Sequence, residues 1–174
     1  MARGIKLEQL KSDVVRPTTD KVKESAFNIV QFDINGANFL DLFAGSGQMG
    51  IEALSRGSNS VVLVDNHKET VSIVKKNLLA TNLGDKAKVV LMDAITFLKH
   101  TQLNFDIAFL DPPYKAGLLQ KVFDLIPNVM SRRGIIICEH PVEETLSENI
   151  KNFRKTKSYK YGKIILTVYR GEDF

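Results

Sequence analysis

From Asn38 onward, short apolar runs alternate with longer stretches in which apolar residues recur every three or four positions. The runs "NFLDLF", "SVVLVD", "KVVLMD", "FDIAFLD" and "GIIICEH" have the length and composition of buried strands. Between them, Gly47 to Arg56 reads as a helix stopped by Gly57, and His67 to Thr81 repeats Val71, Val74, Leu78 and Leu79 at helical spacing. Ala94 to His100 predicts a short helix, Leu118 to Met130 a longer one, and a further short helix is expected near Glu143 to Asn149. Upstream, "RPTTDKVKESAFNIVQF" predicts a helix: Pro17 disfavours helical geometry at Arg16, and Thr18 or Thr19 can cap. Val22, Ala26, Phe27, Ile29 and Val30 then give it an apolar stripe. The end of the chain changes character, because "FRKTKSYKYGKIILTVYR" reads as two strands joined by a tight turn at Tyr161-Gly162.

This alternation predicts an α/β fold with a doubly wound, mostly parallel sheet covered on both faces and an antiparallel C-terminal hairpin. A chain of 174 residues suits a single domain. Residues 1–36 would form an N-terminal segment and helix, and residues 37–174 the core. In such sheets ligands bind beyond the carboxyl ends of the strands, where strand order reverses. The residues that end each strand therefore carry the functional information.

Composition narrows the setting. Hydrophobic residues make up 44% and charged residues 25%, ordinary values for a globular chain. A net charge of +4 exerts a modest pull on polyanions, concentrated between Lys151 and Arg170, where seven basic residues meet no acid. Cys138 is the single cysteine, so an internal disulfide and a cysteine-rich zinc site are excluded, and its apolar surroundings predict an inert thiol. No stretch approaches a membrane span and "MARGIKLEQLKSD" lacks an apolar signal core, so a cytoplasmic protein without a membrane partner is expected. His67, His100 and His140 show no ligand spacing, and no metal is expected.

Four acids fall at predicted strand ends: Asp41, Asp65, Asp93 and Asp111. Gathered on one edge they would repel each other unless something there is cationic or rich in donors. The first strand runs into Gly45, Gly47 and Gly50, the G-x-G-x-x-G spacing, and Asp65 follows Gly45 by 20 residues. Small residues let a ligand approach the backbone, and an acid on the second strand suits ribose hydroxyls. A nicotinamide dinucleotide would bring its pyrophosphate against Asp41. S-adenosylmethionine carries an ammonium and a sulfonium instead, which that acid suits directly or through the loop backbone. Asp93, followed by Ala94, is then placed to accept from an adenine amine. A divalent ion on the same acids is the competing chemistry, but it would leave the glycine loop without a task.

The stretch "DPPY" supplies the second half of a reaction. Pro112 and Pro113 hold the chain extended and remove two N–H donors, leaving acceptors. Asp111 and the Pro112 carbonyl make an acceptor pair suited to an –NH2 group, and Tyr114 offers a face for a stacked base, worth roughly 1–3 kcal/mol. Two acceptors on an exocyclic amine favour a pyramidal nitrogen with its lone pair free for attack. A base within a helix would have to be flipped out first.

"LDLFAGSG" with "DPPY" resembles the class I S-adenosylmethionine-dependent methyltransferases that act on exocyclic amines. "RPTTDKVKESAFNIV", "LDLFAGSGQMGIEALSRG" and "LDPPY" together are similar to the RsmD family, which methylates guanine N2 in small-subunit (16S) ribosomal RNA. The resemblance runs from about Gly4 to Arg170. It implies a seven-stranded Rossmann-like sheet, S-adenosylmethionine as cofactor, and ribosomal RNA, free or in a ribosomal particle, as partner. It assigns Asp41, Gly45, Gly47, Asp65 and Asp93 to the cofactor, together with the neighbouring Phe43, Ala44, Ser46, Asn66 and Ala94. Asp111, Pro112, Pro113 and Tyr114 would serve the target amine, with Arg16 and Thr18 near the mouth of the site. Lys155, Lys157 and Lys160 are candidate RNA contacts; the alternative is a solvated, lysine-protected edge. The segment before "RPTTD" is shorter than is usual in that family, so few RNA contacts are expected from it. Rival readings are an adenine-N6 or cytosine-N4 DNA methyltransferase, a catalytically silent RNA-binding module, and a nicotinamide oxidoreductase.

Overall fold

The computed structural model describes residues 5–9, 19–114 and 117–172. Helix α1 (Asp20–Ile29) precedes strand β1 (Asn38–Asp41), helix α2 (Gln48–Ser55), strand β2 (Ser60–Asp65) and helix α3 (Lys68–Thr81). Strand β3 (Ala87–Leu91), helix α4 (Ala94–His100), strand β4 (Phe105–Leu110) and helix α5 (Leu118–Leu125) continue the alternation. Strands β5 (Met130–Pro141), β6 (Asn149–Ile150), β7 (Phe153–Tyr161) and β8 (Ile164–Gly171) complete it.

All eight strands join one sheet in the order β3-β2-β1-β4-β5-β8-β7-β6. The first five in that order are mutually parallel, and β8, β7 and β6 add antiparallel pairings. The α/β architecture and the C-terminal hairpin are those the sequence predicts, with one more strand than the seven expected. The added strand is the short β6, and no helix forms near Glu143 to Asn149: residues 142–148 are turn and irregular chain. That segment is tied to the sheet, with the Tyr169 hydroxyl donating to the Ser147 carbonyl at 2.7 Å and the Lys155 N–H to the Glu148 carbonyl at 2.8 Å. Helix α5 is also shorter than predicted, because Pro127 cannot donate within an α-helix and the chain tightens into a 3-10 turn over Ile126–Val129. The hairpin loop is Gly162-Lys163, one residue beyond the expected turn, with Gly162 at φ +61°.

Both faces of the parallel strands are apolar, and each is roofed. Phe39, Val61, Leu63, Ile107 and Phe109 pack beneath α1, α2 and α3, while Leu40, Val62, Val64, Ala108 and Leu110 pack beneath α4 and α5. Strand alternation sends successive side chains to opposite clusters. Each of the Val, Leu, Ile and Phe side chains among these contributes roughly 1.5–3 kcal/mol of burial free energy. Helix α1 is capped by Thr19, whose hydroxyl accepts the Val22 N–H at 3.4 Å, and its Phe27 stacks on Phe39 with centroids 6.1 Å apart. No helix among the described residues is long and apolar enough to cross a membrane.

Helices α2 and α5, which follow the adjacent strands β1 and β4, pack on opposite faces. The chain therefore parts above these two strands and leaves a crevice at their carboxyl ends. Seating α2 this closely requires Gly50: a Cβ there would lie 2.6 Å from Leu63 Cδ2 and 2.9 Å from Val61 Cγ1. Gly50→Val should lower the unfolding free energy by about 1–3 kcal/mol, read as a reduced midpoint in urea; an unchanged midpoint would show that the contact does not set the helix position.

Candidate active site

The four predicted acids do share one edge. Asp41 and Asp65 end β1 and β2, Asp111 directly follows β4, and Asp93 lies two residues beyond β3. The sheet order ranks them Asp93, Asp65, Asp41, Asp111 across the edge. Register staggers them: Asp41 is opposite Leu63 and Phe109, so Asp65 and Asp111 each stand two residues further along the edge, and Asp65 is opposite Leu91, so Asp93 stands two residues further again.

Asp41 is deeper than a direct ligand contact requires, being 2% exposed. Its Oδ2 accepts the Gly50 N–H at 3.1 Å. Helix α2 has Gly47 as its N-cap and so no capping side chain of its own. Asp41 satisfies one of the helix's orphan donors from the neighbouring strand. Burial pushes its carboxyl up to about 7, opposed by the Gly50 hydrogen bond and reinforced by Asp111 and Asp65.

The loop between β1 and α2 turns on Gly45 at φ +52° and Gly47 at φ +80°. The two glycines do different work. Nothing lies within 4 Å of where a Gly45 Cβ would be, so that backbone faces open space, whereas a Gly47 Cβ would press on Val74 Cγ1 at 3.1 Å. Asp65, mostly buried, holds this loop: Oδ2 accepts the Gly45 N–H at 3.1 Å and Oδ1 the His67 N–H at 2.9 Å. The Ala44 N–H reaches the Val64 carbonyl at 2.9 Å, and Phe43 packs against the α4–α5 cluster. Asn66 is exposed beside Asp65. Asp93, also exposed, is the N-cap of α4, with Oδ1 accepting the Thr96 N–H at 2.9 Å, and the hydrogen bonds from Thr96 hold its carboxyl below the usual range. Ala94 is buried beneath it.

Across the crevice, Asp111 is partly buried, Pro112 buried and Pro113 exposed, and the Tyr114 ring is 66% exposed. The tyrosine thus presents its face at the surface, where a base can stack. The lysines of β7 do not line one face. Lys155 and Lys160 sit opposite Tyr169 and Ile165, on the α4–α5 side, whereas a bulge at Thr156 turns Lys157 to the other side, opposite Val168. Lys155 is moreover paired with Glu148. Arg16 and Thr18 lie outside the described residues. Among the described residues no three His, Cys, Asp or Glu side chains are grouped to share a metal ion.

Two polar elements escaped the pattern of the sequence. Asn77, buried in α3, donates to the Ser46 carbonyl at 2.9 Å and pairs with the Glu8 backbone. Its signal was an amide on the buried stripe of an amphipathic helix, where such residues are unfavourable without a partner. His140 donates from Nδ1 to the Pro141 carbonyl at 3.0 Å, so Nε2 accepts from the Thr167 hydroxyl at 2.8 Å, which in turn accepts from Ser158 at 3.0 Å. Burial holds that ring below its usual pKa, and the chain of hydroxyls ties β5, β8 and β7 together. Cys138 is fully buried, an inert thiol as expected.

Residues 1–170 match the family described as conserved hypothetical protein 95. The chain is 38% identical to YlbH of Bacillus subtilis over 173 residues, 97% of this chain and 94% of that one. It is 34% identical to ribosomal RNA small subunit methyltransferase D of Escherichia coli over 172 residues, 98% of this chain and 86% of that one. Among solved structures, the methyltransferase yhhF of Escherichia coli superposes with a TM-score of 0.88 at 34% identity, covering 98% of this chain and 93% of that one. Sequence, fold and the placement of the acids agree: the chain belongs to the RsmD family of class I methyltransferases.

Proposed function

We propose that this chain transfers a methyl group from S-adenosylmethionine to the exocyclic N2 amine of a guanine in small-subunit ribosomal RNA. One observation carries the reading: Asp111 and Pro112 directly follow β4, and the glycine loop directly follows its neighbour β1, so both flank the crevice where strand order reverses. Membership of a family that includes small-subunit ribosomal RNA methyltransferases supports the substrate class. The "DPPY" chemistry supports an exocyclic amine as target without separating guanine from adenine or cytosine, and the family likeness supports guanine N2.

The residues present fit the cofactor. Gly45 offers open backbone, Asp65 and Asp93 are carboxylates suited to ribose hydroxyls and an adenine amine, and the buried Asp41 braces the start of α2 behind the loop through the Gly50 N–H. When bound, S-adenosylmethionine supplies an electrophilic methyl carbon on a sulfonium. Asp111 and the Pro112 carbonyl accept the two N–H bonds of the target amine, so that its lone pair points across the crevice. Tyr114 stacks on the base and fixes its plane. As the nitrogen–carbon bond forms, the methyl carbon's bond to sulfur breaks and the neutral thioether, S-adenosylhomocysteine, would leave; the methylated amine becomes more acidic, and Asp111 would take the proton it loses. Alignment of this kind supplies up to about 7–11 kcal/mol of barrier reduction.

Labelled methyl transfer to small ribosomal subunits from a strain lacking this protein should yield N2-methylguanosine by mass. Label on adenine or cytosine, or label in DNA alone, would overturn the guanine assignment. Asp111→Ala should lower kcat by about 100-fold or more with cofactor affinity retained; near-normal turnover would remove its orienting role. Asp65→Ala should weaken S-adenosylmethionine binding about tenfold, checked by calorimetry.

Asp41 makes a pH prediction. Its folded pKa of about 7 lies above the unfolded value of 3.8. Between those values the folded chain holds a proton that the unfolded chain has released, so stability falls as pH rises from 4 to 7 and is level above. Asp41→Asn keeps an acceptor for the Gly50 N–H without the charge. Its melting temperature should exceed the parent's by at least about 5 °C more at pH 8 than at pH 4; parallel curves would show that Asp41 does not titrate in this range.

A further inference from the structure

The glycine loop carries no side chain that could anchor it at Gly45 or Gly47, so its shape depends on groups outside it. Asp65 holds it from one side, at the Gly45 N–H. Asn77 holds it from the other, at the Ser46 carbonyl, 2.9 Å from Nδ2. The same amide is clamped to a segment remote in sequence: Oδ1 accepts the Glu8 N–H at 2.8 Å and Nδ2 donates to the Glu8 carbonyl at 3.0 Å. Only one orientation of the amide satisfies one N–H donor and two carbonyls at once. Asn77 is 2% exposed, so these partners stand in for water. Leu7 packs on the α1–α3 cluster beside this clamp, and Lys76 pairs with the Glu8 carboxylate at 3.6 Å.

We propose that Asn77 is a positioning residue that makes cofactor affinity depend on the docking of Ile5–Gln9. The inference rests on the glycine loop being the S-adenosylmethionine site. The planar amide directs its two N–H bonds at fixed angles. With Glu8 in place, the amide plane is set and the second N–H is aimed at Ser46. Without Glu8 the amide turns about its terminal torsion, and the Ser46 carbonyl loses a directed donor. Linkage makes the effect reciprocal: whatever steadies the loop also steadies the Glu8 contact. A residue with a merely structural part would change stability without tying these two distant segments together.

Glu8→Pro removes the N–H that Asn77 accepts, together with the exposed ion pair to Lys76, and changes no residue of α3 or the loop. It should weaken S-adenosylhomocysteine binding about three- to tenfold, the effect of one partly buried hydrogen bond, raising KM for S-adenosylmethionine with kcat within about twofold. Combined with Asn77→Ala, it should add nothing to the loss caused by Asn77→Ala alone. In the native chain, hydrogen exchange at the Glu8 amide should slow when S-adenosylhomocysteine is bound. The exchange measurement and Glu8→Pro decide the matter even if Asn77→Ala does not fold. Native-like affinity of Glu8→Pro, additive losses in the double variant, or exchange at Glu8 indifferent to S-adenosylhomocysteine would each overturn the coupling. Failure of the native chain to bind S-adenosylhomocysteine at all would instead overturn the cofactor reading, and the coupling with it.

Discussion

A parallel sheet with two apolar faces has to be roofed on both, and this requirement generates the site. The helix after β1 covers one face and the helix after β4 covers the other, although the two strands are neighbours. Backbone leaving these strands must diverge, so a crevice opens where both end. Everything chemical in the molecule is placed by that divergence. The glycine loop forms one wall and the Asp111–Tyr114 stretch the other, and the sheet beneath is too tightly packed to let either drift. Gly50 is the clearest sign of how little slack exists, since even one added carbon beside it would overlap Leu63 and Val61.

The acidic edge is the second constraint. Four carboxylates are set along one edge in steps by strand register, and each has a partner or a reason to tolerate its neighbours. Asp65 holds the Gly45 and His67 amides, Asp93 caps α4, and Asp41 accepts from Gly50 while burial keeps its carboxyl protonated up to about 7. The edge therefore serves the fold and the ligand with the same groups. A carboxylate that braces a loop amide is already oriented when a hydroxyl or amine arrives, which reduces the ordering required on binding. Asn77 extends this logic from the sheet edge to the first residues of the chain.

Outside the crevice, the molecule looks like a conventional edge-protected sheet. The open side of β7 carries lysines on both faces, Lys155 and Lys160 on one and Lys157 on the other, a distribution that discourages strand pairing between molecules and does not form a continuous basic surface. The His140–Thr167–Ser158 chain stitches the antiparallel strands to the parallel ones, which gives the buried histidine at the end of β5 a structural task.

What the sequence determined by itself were the features written in local periodicity and spacing. Strands such as "SVVLVD" are apolar on both faces, which requires a covered parallel sheet. The helix Ala94–His100 was legible to the residue because Asp93 caps it, and the glycine spacing before α2 announced a turn that only glycine adopts easily. Tertiary structure decided whatever depends on partners distant in the chain. The segment before Ile150 forms no helix because Tyr169 and Lys155 take the Ser147 and Glu148 carbonyls, against a local preference for helix. Asp41 lies under the loop instead of in the open because α2 offers it an uncapped N–H, and Lys157 parts from its neighbours because of a single-residue bulge. Asn77 read as one polar residue in a helix until folding brought Ser46 and Glu8 to it. Hydrogen bonds across 31 and 69 residues leave no periodic trace in sequence, since they depend on where the sheet carries each end.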